Sequence, residues 1–327
     1  MDTGSHLMVG LGLGAWAGSE ALAAGHPGIA AGLIAGSVLG AQAPDLDCLA
    51  RLRSKAAYLR QHRSASHALT AAPLWSLGIA LALQALWGGT LPLPALAGWT
   101  FIAVLSHLLL DLCNDDGVRL LYPRRKRYAF SILPGFDPLL FGGHAAALLA
   151  WTLLGTPADV LLPLLYIAIG VYLIWRLAER RRLSQRLPGL DPGGGQVLRY
   201  VVLPTPSLRR WHVVKCRPDG GYLIGEWTGE ILVWTDELNC SDEPSAQAAA
   251  QHPEVKAFLS FTTLHCARVT PLSWGYEVCW IDVRYRRDRQ YPLAARVLLD
   301  SALQPVGCYV GWHSRRRRAR QVQMCTY

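Results

Sequence analysis

Four stretches of this chain run without a charged side chain for long enough to matter: 67–87, 93–110, 138–154 and 160–175. About 20 apolar residues are needed for a helix to cross a hydrocarbon core of about 30 Å. Four such runs within the first 180 residues are hard to hide in one soluble core. Two further runs, 7–24 and 28–43, are weaker and rich in glycine. The second would make about 24 Å of helix at 1.5 Å per residue, short of a full crossing, and reads as a half-buried hairpin partner. Residues 1–186 therefore predict an α-helical polytopic membrane bundle of about six helices, two of them short or weak.

Composition agrees. The 327 residues are 51% apolar and only 17% charged, where ordinary globular chains are about a quarter charged. Disorder, collagen and coiled coil are excluded on the same ground. Residues 187–327 change character. A segment at 187–194 (Leu-Pro-Gly-Leu-Asp-Pro-Gly-Gly) reads as a linker. Short strands follow at 197–203, 211–216, 222–227 and 231–234, then one helix near 244–260, then strands at 275–285, 294–299 and 308–312. This half predicts a smaller soluble α+β domain with an antiparallel sheet.

Charge orients the bundle. Arg51, Arg53, Lys55, Arg60 and Arg63 lie in one loop, and Arg119, Arg124, Arg125, Lys126 and Arg127 in another. Arg176, Arg180, Arg181, Arg182 and Arg186 follow the last run, while the turns near 25–27, 88–92 and 155–159 hold no Lys or Arg. With six spans the three basic loops share one side, and the positive-inside bias makes that side cytoplasmic. The expected location is a bacterial inner membrane, multi-pass, with both termini and the soluble domain in the cytoplasm. Met1-Asp2-Thr3-Gly4-Ser5-His6 has no basic region of a signal peptide, so the first helix is expected to be retained. The eight cysteines show no C-x-x-C and are expected as free thiols.

An unusual set of His and Asp falls at the cytoplasmic ends of different helices: His6, Asp45, Asp47, His62, His67, His107, Asp111, Asp115, Asp116, Asp137 and His144. Ionisable groups at membrane depth are costly unless paired or hydrated, and so mark function. His107 and Asp111 stand i and i+4 on one helix face, a metal-ligand spacing. Asp45 and Asp47 follow Pro44, and in an extended stretch they would point the same way. Neutral imidazole with carboxylate suits Zn, Mn or Fe. Asp45, His67, His107 and Asp111 are the leading ligands, with His6, Asp47 and His62 as further ligands or as groups that orient the imidazoles. One or two divalent ions are expected, Zn first. Simpler roles exist for His144 as a core residue, Asp137 as a helix cap and Asp115-Asp116 as a turn.

Several of these residues fall into ordered motifs: Asp2-Thr3-Gly4-Ser5-His6, Pro44-Asp45-Leu46-Asp47, His62-Arg63-Ser64-Ala65-Ser66-His67-Ala68, His107-Leu108-Leu109-Leu110-Asp111, Asn114-Asp115-Asp116-Gly117 and Phe136-Asp137-Pro138. In this order they resemble the YdjM/YfhP-like family of bacterial inner-membrane proteins, described as LexA-regulated, membrane-bound, metal-dependent hydrolases. The resemblance covers about residues 1–155, and Leu203-Pro204-Thr205-Pro206 with Trp211 is similar, more loosely, to the YfhP-like branch. Ser5, Ser64 and Ala68 depart from the family's Thr, Gly and Ser, and none of these changes removes a candidate ligand. The resemblance implies a reaction class akin to zinc-dependent phospholipases.

The chemistry expected of such a pocket is hydrolysis by a metal-activated water, with Asp47 and His62 serving the proton and Arg63 clamping a phosphate bidentately. A pocket at the inner leaflet rimmed by Arg124–Arg127 would favour an anionic lipid head group or another lipid-linked phosphoester. Two rivals stand beside it: a non-catalytic membrane scaffold or regulator with a structural metal, and a metal or proton transporter. The basic run Arg315-Arg316-Arg317-Arg318-Ala319-Arg320 reads first as a solvated terminus and next as a lipid contact; nucleic acid is not expected. Oligomeric state has no signature in the sequence.

Overall fold

The computed structural model describes residues 1–191, 196–286 and 290–312, Lys55 by its backbone alone. The chain forms two compact units. The first comprises Met1–Cys48, His62–Gly189 and Val202–Trp211; the second comprises Leu49–Gln61, Leu190–Val201 and the chain from His212 onward. Along α7 the junction between the two units falls after Gly189. The two short exchanged segments carry no signature in hydropathy. The basic run at 315–320 lies outside the described residues.

The first unit is helical: α1 (Thr3–Ala23), α2 (Pro27–Gln42), α4 (Ala72–Leu86), α5 (Leu93–Cys113), α6 (Pro138–Leu154) and α7 (Ala158–Leu190), with the short α3 (Lys55–Gln61) belonging to the second unit. Four helical stretches are long and apolar enough to cross a membrane: Pro27–Leu52, Leu69–Leu86, Leu93–Cys113 and Ala158–Leu190. Helix α6 is shorter, at 17 residues.

Glycines that weaken 7–24 and 28–43 as membrane runs are packing surfaces. Gly10, Gly14 and Gly18, one every four residues, share a face of α1 and meet Ala41, Ile34 and Ala30 of α2. A Cβ added at Gly14 would stand 2.7 Å from the Ile34 Cα. Gly36 and Gly40 of α2 turn to α5, where a Cβ at Gly40 would stand 2.7 Å from the Thr100 carbonyl. Small residues at this spacing let helix backbones approach in an apolar medium, where burial of side chains offers little drive. Helices α1, α2 and α5 are thereby drawn into one close-packed layer, and these three carry much of the site.

Three local readings need correction. Helix α7 continues to Leu190, through the first part of the segment read as a linker, because Leu183 and Leu187 are buried and hold the last turns in place despite Pro188; Pro192, Gly193 and Gly194 of that segment lie outside the described residues. Arg176 does not mark an exposed exit. It is fully buried, donates from Nε to the Ile132 carbonyl at 2.9 Å and stacks 3.9 Å from the Trp211 ring. The stretch 67–87 is not one helix, since 3-10 turns occupy Ala65–His67 and Leu69–Ala71 before α4 begins.

The second unit is α+β. One four-stranded sheet has the order β1 (Arg199–Pro204), β2 (Trp211–Cys216), β3 (Tyr222–Trp227), β4 (Leu232–Leu238). A second has the order β5 (His265–Leu272), β6 (Gly275–Asp282), β7 (Leu293–Asp300), β8 (Pro305–Trp312), antiparallel throughout. Helices α8 (Pro244–Gln251) and α9 (Pro253–Phe261) cover it, burying Phe258 against Val278, Val297 and Leu299. The single helix expected at 244–260 is two. Pro253 cannot continue α8, and the His252 imidazole accepts the Glu254 amide to start α9. Strand β5 has no counterpart among the expected strands. It lies at a sheet edge, carries Pro271 and alternates poorly.

Strand β5 carries Cys266, bonded to Cys240 with Cα atoms 5.0 Å apart. Two of the cysteines expected as free thiols are therefore paired, which a separation of 26 residues does not announce. Asp191 anchors the start of this unit by accepting from Lys215 Nζ (2.6 Å), Tyr200 (2.8 Å) and Trp234 Nε1 (3.0 Å). Burial, followed by the Asp191 carboxylate, pushes the Tyr200 phenol up to about 12.

Candidate metal centre

Helix α1 opens with Asp2, whose carboxylate accepts the Ser5 amide at 3.0 Å and the Ser5 hydroxyl at 2.6 Å. An acidic N-cap of this kind satisfies orphan amides, and it sets His6 on the inward face one turn later. Helix α2 runs directly into a 3-10 helix, Ala43–Leu52, that carries Asp45 and Asp47. His67 ends the short 3-10 turn Ala65–His67, and α5 supplies His107 and Asp111.

Asp45, His67, His107 and Asp111 converge, each offering one ligand atom within 4.8 Å of all the others. His67 Nε2 and His107 Nε2 are 3.2 Å apart. Asp45 Oδ1 lies 3.5 Å from the first and 3.6 Å from the second; Asp111 Oδ2 lies 3.2 Å and 3.6 Å from them. His67, His107 and Asp111 are fully buried, while the Asp45 side chain is 21% exposed and forms the open side.

The hydrogen bonds behind these rings decide which electrons face inward. His107 Nδ1 lies 2.7 Å from the Ala41 carbonyl, which only accepts, so Nδ1 carries the proton and Nε2 of the neutral ring is a lone pair. His67 Nδ1 lies 2.9 Å from Ser66 Oγ and 3.5 Å from Asp47 Oδ2, which orients its Nε2 in the same sense. Two imidazole lone pairs and two carboxylate oxygens thus face one another at 3.2–3.6 Å. Asp111 Oδ2 is a buried oxygen without a hydrogen bond of good geometry. Electron pairs packed this way repel unless a cation lies among them. Ligands at 2.0–2.1 Å from a tetrahedral ion stand about 3.3 Å apart. By donor set and spacing, these residues fit a divalent metal.

The remaining predicted residues surround this core without joining it. Asp47 does not point with Asp45. In a 3-10 helix of three residues per turn, positions i and i+2 diverge by about 120°, so the extended geometry expected at 44–47 is replaced by one that separates the two carboxylates. Asp47 accepts the Arg63 amide at 2.8 Å and lies 3.2 Å from His62 Nδ1. The His62 ring centroid is 6.3 Å from that of His67. His6 stacks on His107 with centroids 3.8 Å apart, and its Nε2 lies 3.3 Å from Asp111 Oδ1. Arg63, buried and at φ +56°, directs its guanidinium to Asp111 Oδ1 at 2.9 Å and Asp116 Oδ2 at 3.7 Å. The Met1 amine also pairs with Asp111 Oδ1.

Asp137 caps α6 by accepting the Leu139 and Leu140 amides, and also accepts from Tyr172 at 2.8 Å. His144 is a buried residue of α6 whose Nδ1 lies 2.7 Å from the Leu140 carbonyl. Contributors that the sequence does not single out are Ser66, the Ala41 carbonyl and Trp75, which donates to the Ser66 carbonyl at 3.1 Å; Arg127, expected at the rim, donates to the His62 carbonyl at 3.0 Å. Ser66 lay within the His62–His67 motif and was open to recognition. A backbone carbonyl four residues before Asp45 was not.

Residues 1–183 match the family model described as YdjM inner membrane protein, and residues 244–322 match the YfhP C-terminal alpha/beta plait domain. An uncharacterized protein YfhP of Bacillus subtilis (strain 168) is 30% identical over 316 residues, covering 95% of each chain. No solved structure matches. The helical unit with its His/Asp cluster, and the antiparallel plait that follows, place this chain in the YdjM inner membrane protein family, with a C-terminal domain of the YfhP type.

Proposed function

We propose that the protein is a metal-dependent hydrolase acting on a phosphoester of membrane lipid at the inner leaflet. The observation that carries this reading is the opposed pair of Nε2 lone pairs, His67 and His107, closed by Asp45 and Asp111. A divalent ion held there, zinc before manganese or iron on these ligands, supplies Lewis acidity and activates water at neutral pH.

The chain's own groups do the rest. Ser66 and Asp47 hold His67, and the Ala41 carbonyl holds His107, each in the tautomer that offers Nε2. His62, partly exposed and oriented by Asp47, accepts the proton released by water. Arg63 serves by fixing Asp111 Oδ1, so that Oδ2 faces the imidazoles. The partial exposure of Asp45 favours catalysis over a structural role, because it leaves one side of the four-ligand cluster reachable, where a water or substrate oxygen would add as a fifth ligand. The positive-inside bias of the basic loops favours a cytoplasmic side for both termini, with six helices crossing an inner membrane.

Metal analysis of the purified full chain, beside His107→Ala and Asp45→Asn, tests this. About one equivalent of divalent metal is expected in wild type and little in either variant, followed by metal-dependent release of product from phospholipid vesicles. Equal metal in all three proteins would remove the site. Metal binding without turnover of any phosphoester would leave a structural centre and end the hydrolase reading.

A further inference from the structure

Asp45, the one partly open ligand, belongs to a 3-10 helix ten residues long, Ala43–Leu52. Runs beyond three or four residues are uncommon, and with three residues per turn side chains at i and i+3 eclipse. Leu46, Leu49 and Leu52 therefore form one straight ridge. They are 49%, 58% and 85% exposed. Arg51 and Arg53 are also exposed and alternate with the end of the ridge. A soluble surface has no reason to present three leucines in line. An element with an apolar edge and flanking cations suits the boundary between acyl chains and anionic head groups.

A second segment beside the centre repeats the pattern. Leu121 and Tyr122 are exposed, and exposed Arg124, Arg125 and Lys126 follow them. This loop is tied to the site, since Leu120 accepts the Leu69 amide at 2.9 Å and Arg127 donates to the His62 carbonyl.

We propose that Ala43–Leu52 is an interfacial wedge, its leucine ridge seated at the acyl–head-group boundary of an anionic leaflet. The wedge presents Asp45 to lipid head groups rather than to bulk solvent. The statement about Asp45 rests on the metal-centre reading above; the seating of the ridge does not.

Lipid photolabelling of the full chain tests it. The protein is reconstituted in vesicles of phosphatidylcholine and phosphatidylglycerol containing a phospholipid with a diazirine high on one acyl chain, and adducts are mapped by mass spectrometry. Adducts on residues 46–52 are expected, falling at least several-fold in a Leu49→Ser/Leu52→Ser variant while those on α5 stay unchanged. Labelled α5 with an unlabelled 46–52, or undiminished labelling in the variant, would overturn the wedge. Labelling is run on chelator-stripped and metal-loaded protein alike. A labelled ridge on a chain that binds no metal refutes the hydrolase alone, and a metal-binding chain with an unlabelled ridge refutes the wedge alone.

Discussion

Asp45 and Asp47 bracket one imidazole from opposite sides: Asp45 Oδ1 lies 3.5 Å from His67 Nε2, and Asp47 Oδ2 lies 3.5 Å from His67 Nδ1. One carboxylate faces the cluster that could hold a metal, while the other stands behind the ring with Ser66. Their substitutions should differ accordingly. Asp45→Asn removes a ligand and should abolish tight metal binding. Asp47→Asn leaves all four ligands in place and should weaken binding by about 10–100-fold, the usual effect of losing an outer partner. Competition with a zinc-chelating dye measures both. Equal losses would contradict the division of roles.

The close approach of α1, α2 and α5 predicts a pattern among glycines. Gly14→Leu and Gly40→Leu drive a side chain into backbone atoms that stand 2.7 Å from the added Cβ. Each should cost at least about 1–3 kcal/mol, as overpacking does. Gly98, within α5, has nothing within 4 Å of an added Cβ. Gly98→Ala should be neutral or stabilising by up to about 1 kcal/mol. Thermal unfolding of detergent-solubilised protein separates the two classes.

The Cys240–Cys266 bond closes a loop spanning 26 residues. Cys266→Ser should lower the stability of the second unit by about 2–4 kcal/mol when the comparison is oxidised wild type, read by hydrogen exchange in α8, α9 and β5–β8. Disulfides persist in oxidising compartments and are rare in the cytosol. A cytoplasmic second unit therefore requires the pair to be reduced in growing cells, so that alkylation of acid-quenched, denatured cells modifies both cysteines, Cys266 being fully buried in the folded chain. Protection of both from alkylation in cells would reverse the proposed orientation.

Two half-buried histidines of the second unit predict its response to acid. Burial lowers the pKa of His212 and of His265 below 6.5, outweighing Glu226 at the first and the Thr262 backbone and Asp282 at the second. Above pH 6.5 both folded and unfolded forms are neutral at these positions. Below it the unfolded chain takes up protons that the folded chain refuses, so stability falls as pH falls through 6.5. Hydrogen exchange in β2 and β5 at pH 7.5 and pH 5.5 should show faster opening at the lower pH. A His212→Gln/His265→Gln variant should lose most of that difference.

Hydropathy alone located the six long helices of the first unit, because an uncharged run of sufficient length has few other uses. Order and spacing alone brought out His67, His107, Asp111 and Asp45, since i,i+4 on a helix fixes a shared face whatever the tertiary context. The partition of Asp45 from Asp47 depended on a 3-10 helix where Pro44 suggested extended chain, a choice made by packing after α2. Glycines counted against two helices until their neighbours were known, because a missing Cβ is a defect in isolation and a contact surface only opposite another backbone. The tautomer of His107 rests on a backbone carbonyl that no pattern marks, and that of His67 on Ser66 and Asp47, whose directions only the fold sets. Strand β5 and the Cys240–Cys266 bond arise from pairing across the sheet. Residue type and spacing thus determined which groups were available for chemistry; the tertiary structure decided which lone pairs meet, since that depends on directions set by hydrogen bonds between segments distant in the chain.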